Sequence, residues 1–102
     1  MLSIIATIEL QPGRRTEFLQ LFKQLVPKVL AEEGCLEYAP MIDEPTGIPG
    51  QPPVWMDVVT VVEKWASIEA VERHLAAPHM AEFRAASRAL RKGITLHILA
   101  PA

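Results

Sequence analysis

Two histidines in the last third of the chain, His74 and His79, are the side chains best suited to acid–base catalysis at neutral pH. Imidazole has an ordinary pKa of about 6.5, so either ring could take a proton from a phenolic hydroxyl group and return it. A phenolate formed in this way can react with O2 without a cofactor. His74 is therefore the candidate general base, and the structural alternative is a polar residue at the edge of a helix.

Aromatic side chains could surround the ligand of such a base. Trp65 precedes the helix of His74 and could stack on an aromatic substrate, so we assign both residues to the catalytic set. Tyr38, Phe22 and His79 are the candidates for binding the substrate. The alternative role for Trp65 is packing in the core.

A metal site is not predicted. His74 and His79 are five positions apart across Pro78, so they do not form the i, i+4 pair that a helical zinc site requires. We predict that the acidic pair Asp57 and Glu63 binds arginine or lysine partners across strands or across a dimer. Three arginines share one helix face and are expected to be solvated: Arg84, Arg88 and Arg91.

Composition limits the classes of function. With 102 residues, of which half are apolar, the chain is predicted to form a single domain over residues 1–102 whose apolar excess is covered by a partner. The net charge of −2 does not favour nucleic acid or an anionic membrane as a partner. The one cysteine, Cys35, excludes an internal disulfide and is typical of a reducing cytoplasm. Neither a leader peptide nor a membrane-spanning run is predicted.

The first half of the chain is predicted to form strand, helix and strand. Residues 2–10 are nearly continuous in apolar side chains, and residues 14–33 have the periodicity of an amphipathic helix. Pro27 is expected to kink this helix or divide it in two, and Gly34 to end it in a left-handed conformation. An extended segment follows over residues 35–43, and then a loop rich in proline and glycine over residues 43–53.

The second half is predicted to form strand, broken helix and strand. The strand covers residues 54–65 and places alternate residues on one face: Trp55, Asp57, Val59, Val61, Glu63 and Trp65. Ser67 caps a helix that runs to about Ala76, with Ile68, Val71 and Leu75 facing the core. Pro78 opens the next helix, Gly93 ends it, and residues 94–99 form the last strand. The order β-α-β-β-α-β predicts an α+β, ferredoxin-like fold with an antiparallel four-stranded sheet.

The chain resembles the antibiotic biosynthesis monooxygenase (ABM) family of dimeric α+β barrels. The matching segments are ATIELQPGRRTEF, EEGCLEY and EKWASIEAVERHLAAPHM, together with the closing strand, so the resemblance covers essentially the whole chain. The most specific run is Glu-x-Trp-x-Ser-x-Glu-Ala-x-x-x-His, which is formed here by Glu63, Trp65, Ser67, Glu69, Ala70 and His74. The longer loop over residues 43–53 and Pro27 depart from the family pattern.

The resemblance implies a homodimer joined through the sheet face, and a pocket between sheet and helices in each subunit. It also implies oxidation of a small phenolic, quinol or polyketide-like aromatic substrate by O2, with no cofactor and no metal. A haem-degrading branch of the superfamily uses an asparagine on the first strand, whereas this sequence contains no asparagine. Two alternatives remain open, because one fold hosts many functions. They are a proton-transfer isomerase that uses the same pocket and a non-catalytic dimer that binds a small apolar ligand.

Overall fold

Four strands and three helices follow one another in the predicted order, with the second helical segment broken in two. The computed structural model describes residues 1–102. Its elements are β1 (Leu2–Leu10), α1 (Arg15–Leu30), β2 (Cys35–Met41), β3 (Val58–Trp65), α2 (Ile68–Ala76), α3 (Pro78–Ser87), a 3₁₀ turn (Arg88–Leu90) and β4 (Arg91–Leu99). None of the helices has the length and apolar character that crossing a bilayer requires.

The strands form one antiparallel sheet in the order β2-β3-β1-β4. The central strand β1 places Ile4 opposite Glu63 on β3 and opposite Ile98 on β4, so these three residues lie on the same face. The α+β, ferredoxin-like fold with a four-stranded antiparallel sheet is thus confirmed.

The core lies between this face of the sheet and the helices. On β3 it includes the predicted alternating set from Val59 to Trp65, which is buried. The strand begins at Val58, however, and not at residue 54, so Trp55 and Asp57 precede it. Two prolines just upstream lack the amide hydrogens that a strand ladder uses, and the Asp57 carboxylate instead accepts a hydrogen bond from the backbone N–H of Gly13 at 2.9 Å.

Helix α1 is not divided at Pro27, which was one of the two predicted outcomes. It continues to Leu30 and buries Phe18, Phe22, Leu25 and Val29 along one side. Because proline removes only one backbone hydrogen bond, burial of Leu25 and Val29 on either side of it offsets the loss. The helix ends three residues earlier than the predicted residue 33.

Gly34 carries the chain from α1 into β2 at a point of close contact with α2. Its φ of +87° lies in the left-handed region, and a Cβ atom added to it would lie 2.6 Å from the Cβ of Ala70. The carbonyl of Gly34 also accepts a hydrogen bond from the N–H of Ala66 at 2.8 Å. Glycine is therefore required here both by the backbone conformation and by the space available.

Substitution of Gly34 by Ala is expected to lower the free energy of unfolding by about 2–4 kcal/mol, because backbone strain and steric overlap add. The matched control is Gly13→Ala, since Gly13 has a similar φ of +77° but no atom within 4 Å of the added Cβ. That control should lose only the strain contribution, about 1 kcal/mol. Urea denaturation of both variants measures the difference, and equal losses would contradict the steric argument.

Helix α2 is rotated relative to the prediction. Its buried residues are Ala70, Val71 and His74, whereas Ile68 and Leu75 are exposed. The predicted cap is confirmed, because the Ser67 hydroxyl accepts a hydrogen bond from the N–H of Ala70. Apolar periodicity alone could not reveal that a histidine would occupy the inward position.

The last strand begins earlier than predicted. Helix α3 ends at Ser87 and β4 starts at Arg91, so Gly93 lies within the strand opposite Glu9 and does not end the helix. A register shift between Glu9 and Leu10 lets the extra residues pair with the end of β1.

Candidate functional site

A cavity of about 250 Å³ lies between the helices and the sheet. Thirteen of its 17 lining residues are hydrophobic, and they come from all four strands and all three helices. The side formed by Ile94, Leu96 and Ile98 of β4 is open, because these residues are about half exposed. The cavity can therefore admit a small, mostly apolar molecule from the β4 edge.

Three polar side chains in the cavity wall retain unused hydrogen-bonding capacity: Tyr38, Glu63 and His74. Every fully enclosed side-chain nitrogen or oxygen in the structure has a hydrogen-bond partner. The Tyr38 hydroxyl, one carboxylate oxygen of Glu63 and Nε2 of His74 have no such partner, so each of these atoms must reach open space. Because all three residues line the cavity, a bound molecule would meet these groups, together with Arg84 and Arg91 of the same wall.

His74 is buried on α2 with its ring in the cavity wall. Its Nδ1 lies 2.9 Å from a carboxylate oxygen of Glu32, in the turn after α1. Burial lowers the pKa of His74 below its ordinary value of 6.5, although the hydrogen bond and charge of Glu32 oppose this effect. The ring is therefore neutral at pH 7, and Nε2 can act as a base towards the cavity.

His79 is not in the cavity wall. It opens α3 on the outer side of the protein, beside a shallow groove between α1 and α3, and its side chain is 22% exposed. Its Nε2 lies 2.7 Å from the same Glu32 oxygen that His74 contacts. The sequence predicted that His79 binds the substrate directly. The structure instead places His79 outside this cavity.

Glu32 is the residue that sequence reasoning missed. It is 42 residues from His74 and 47 from His79, and it precedes a second glutamate, Glu33, that is exposed. No local pattern distinguishes the two carboxylates. Only the tertiary structure, which brings the turn after α1 next to His74 and His79, shows which one joins the histidines.

Within the single chain, Glu63 has a neutral partner and not the arginine or lysine that was predicted across strands; a cation across a dimer stays a prediction. One of its oxygens accepts a 2.9 Å hydrogen bond from the indole Nε1–H of Trp65, and Asp57 likewise has only the backbone of Gly13. Glu63 faces the helices, mostly among apolar side chains, and forms no salt bridge within the chain. Burial raises its pKa from 4.5 to about 7, partly offset by the Trp65 hydrogen bond.

This shift makes stability dependent on pH. Because the pKa of Glu63 is raised on folding, the folded chain binds more protons than the unfolded chain between pH 4.5 and about 7. The contribution of Glu63 to the free energy of unfolding is fully present below pH 4.5 and is lost as the pH rises through 7. We expect Glu63→Gln to gain stability relative to the natural chain over this interval, by roughly 3 kcal/mol.

Urea denaturation at pH 4.5 and pH 8 measures that difference. Glu33→Gln is the matched control, because it makes the same change in charge at an exposed position and should show no such trend. A constant difference between Glu63→Gln and the natural chain would mean that Glu63 is ionised at little cost.

Tyr38 and Phe22 lie together in the cavity wall. Their rings stack with centroids 5.4 Å apart, and the Tyr38 ring meets the ring of His74 edge-on at 5.5 Å. Burial raises the pKa of Tyr38, so its hydroxyl stays protonated and can donate a hydrogen bond. The structure thus brings Phe22, Tyr38 and His74 to one site.

Trp65 lies behind this site. It has no exposed surface and is absent from the cavity wall. Its ring centroid is 4.6 Å from that of His74, and its N–H holds Glu63. In this structure Trp65 supports two cavity residues and does not stack on a ligand.

Arg84 and Arg88 are exposed, as predicted, whereas Arg91 is half-buried, and both Arg84 and Arg91 also line the cavity. Arg84 donates a hydrogen bond to the carbonyl of Leu75, and Arg91 donates to the Ser87 hydroxyl and to the carbonyl of Arg84. The sharp transition from α3 into β4 turns Arg91 back along the helix, which the helical pattern could not indicate. Both guanidinium groups add positive charge to one end of the cavity.

Comparisons with known proteins agree with this architecture. Residues 1–86 match the protein family described as "Antibiotic biosynthesis monooxygenase". The chain is 39% identical to the Escherichia coli K12 protein named "Probable quinol monooxygenase YgiN", over 99% of this chain and 98% of that protein. The Shigella flexneri protein of that name gives the same values.

Solved structures show the same fold. PA3566 from Pseudomonas aeruginosa superposes with a TM-score of 0.81 and 27% identity, covering 99% of this chain and 93% of that one. Rv0793 from Mycobacterium tuberculosis gives a TM-score of 0.79 and 22% identity, with 99% and 94% coverage. The arrangement of sheet and helices around the cavity is therefore shared with other proteins.

Proposed function

The chain belongs to the antibiotic biosynthesis monooxygenase family, and from this premise we propose that it oxidises a quinol or a related small phenol with O2, without an added cofactor. The family and its quinol-named relative support a monooxygenase-type activity. The observation that carries the specific proposal is the apolar cavity with three free polar atoms, on Tyr38, Glu63 and His74. A flat aromatic molecule with hydroxyl groups matches both the apolar walls and those polar groups.

In the proposed reaction a quinol and one O2 molecule give a hydroxyquinone and one water. The substrate supplies all four electrons that reduce O2, so no external reductant is needed. One oxygen atom forms the new C–O bond, and the other leaves as water with two hydrogens. His74 begins this sequence when its Nε2 takes the proton of a substrate hydroxyl, which leaves an electron-rich phenolate that transfers an electron to O2.

The other two polar groups have complementary roles in the proposal. The Tyr38 hydroxyl is protonated and donates a hydrogen bond to an oxygen of the substrate. Glu63, with a pKa raised to about 7, can accept or supply a proton near neutral pH. The apolar walls, which include Phe22, keep water away from the reactive phenolate.

We also propose that two copies associate through the face of the sheet that the helices do not cover. This face carries Ile5, Val58 and Val62, which are only half-buried in the single chain. A partner would bury them, in agreement with the apolar composition. Light scattering should give twice the mass of one chain. A stable monomer at micromolar concentration would contradict this proposal.

A reducing cytoplasmic location is proposed from the single cysteine. Cys35 is free, and burial raises the pKa of its thiol to about 11. It therefore stays protonated and does not act as a nucleophile.

Oxygen uptake tests the function directly. Chelator-treated protein is incubated with quinols of one to three rings, and O2, product mass and hydrogen peroxide are measured. We expect one O2 consumed per quinol and a product heavier than the quinone by one oxygen atom. Formation of quinone and hydrogen peroxide would identify an oxidase. Quinol binding without O2 uptake would favour the isomerase or the ligand-binding protein.

A further inference from the structure

One carboxylate oxygen of Glu32 lies within hydrogen-bond distance of two imidazole rings, those of His74 and His79. It lies 2.9 Å from Nδ1 of His74, which lines the cavity, and 2.7 Å from Nε2 of His79, which lies at the outer groove. The Glu32 side chain is only 13% exposed and that of His74 only 4%. These three residues come from three separate segments and connect the cavity wall with the outer surface.

We propose that Glu32 is the positioning residue that makes His74 a base towards the cavity, and that His79 adjusts its strength from outside through the same carboxylate oxygen. This inference rests on the proposed function, in which His74 accepts the substrate proton. Neither Glu32 nor His79 lines the cavity, so neither touches a substrate bound there. Both residues therefore act through His74.

The chemistry of the hydrogen bond supports the role of Glu32. An ionised carboxylate only accepts hydrogen bonds, so the proton of neutral His74 must be on Nδ1, and Nε2 keeps its lone pair for the cavity. When Nε2 takes a proton, the resulting imidazolium lies directly against the Glu32 charge and is stabilised. The arrangement of nucleophilic or basic group, imidazole and carboxylate is a recurring one in enzymes.

The role of His79 follows from the shared oxygen. When His79 is protonated, its charge competes with that of His74 for Glu32, and His79 lowers the pKa of His74. The side chain of His79 is 22% exposed, so solvent reaches its ring. A positive charge on His79 therefore makes the base in the cavity weaker.

Other charged or titratable groups also surround this cluster. Arg84 on α3 lowers the pKa of His74, and the charges of Glu32 and Glu63 reach the neighbouring groups of β2, which are Tyr38 and Cys35. Lys28 of α1 and Glu82 of α3 line the outer groove beside His79. The test therefore compares variants that change only Glu32 or His79 and leave these groups in place.

Nuclear magnetic resonance of the histidine rings tests the proposal without any substrate. The chain has only three histidines, and the exposed His97 on β4 is an internal reference. We expect the ring nitrogen shifts of neutral His74 to report a proton on Nδ1. Glu32→Gln should release this preference, because an amide can donate as well as accept, and should lower the titration midpoint of His74.

The effect of His79 is measured in the same way. His79→Gln keeps a side-chain N–H that can reach Glu32 but removes the charge, so the midpoint of His74 should rise. His97 should not respond in either variant. If the tautomer and midpoint of His74 are unchanged in both Glu32→Gln and His79→Gln, the proposal is wrong. Should Glu32→Gln fail to fold, His79→Gln still decides, because that position lies at the surface.

Kinetics separate a positioning role from a purely structural one. Glu32→Gln should lower kcat by about 10²-fold or more with little change in KM, since the base and not the binding site is affected. His79→Gln should move the acidic limb of kcat/KM to higher pH, in step with the midpoint of His74. Glu33→Gln is the matched control and should behave as the natural chain does.

The two proposals fail in different ways. If the natural chain consumes no O2 with any quinol, the proposed oxygenase function is wrong, while the ring spectra still show whether Glu32 and His79 govern His74. If the natural chain is active and Glu32→Gln retains full kcat, the positioning role of Glu32 is wrong and the function stands.

Discussion

Replacing His74 by Asn is expected to reduce turnover of the proposed quinol substrate by about 10²- to 10⁴-fold, the usual contribution of a general base. The asparagine amide can donate to Glu32 in place of Nδ1, so the buried carboxylate keeps a partner and the fold should remain. What the variant lacks is a nitrogen that takes a proton near neutral pH. Steady-state oxygen uptake measures the loss.

Ligand binding by the same variant separates an enzyme from a binding protein. Measured without oxygen by calorimetry, the affinity for the quinol should change much less than kcat, because the apolar walls remain. Arg73→Asn, at an exposed position of α2, introduces the same residue one position away and is the control. Full oxygen uptake by His74→Asn would mean that another cavity group, with Glu63 the first candidate, removes the proton.

Replacing Trp65 by Ala is expected to lower the free energy of unfolding by about 3–5 kcal/mol, as for other large aromatic residues of protein cores. The indole is fully buried against His74, and its loss also leaves the carboxyl group of Glu63 without its hydrogen-bond donor. Urea denaturation followed by circular dichroism measures the change.

Two further variants divide this loss into its causes. Trp65→Phe keeps most of the ring but removes the N–H, so it should lose about 1–3 kcal/mol and raise the pKa of Glu63 further. Trp55→Ala is the matched control, because Trp55 is 54% exposed, and it should change stability by less than about 0.5 kcal/mol. Similar losses for Trp65→Ala and Trp55→Ala would contradict the burial argument.

The sequence was sufficient for the fold because its elements carry strong local signals. The apolar run of residues 2–10, the periodicity of α1, the Ser67 cap and the proline at the start of α3 each define an element within a few residues. The errors lie at element ends, such as the start of β3 at Val58 and of β4 at Arg91. Element ends depend on pairing with distant residues, for example Gly93 with Glu9, which local patterns do not contain.

Only part of the candidate site could be predicted from local sequence patterns. The sequence alone determined that His74, Tyr38 and Phe22 have side chains suited to a binding pocket, and the structure brings all three to one cavity. The tertiary structure decided the rest. Trp65 lies behind the cavity, and its indole N–H, rather than a cation of the same chain, is the partner of Glu63. Glu32 joins two histidines. The physical reason is that residue type and spacing determine which groups can react, whereas burial and long-range contacts determine their ionisation and direction.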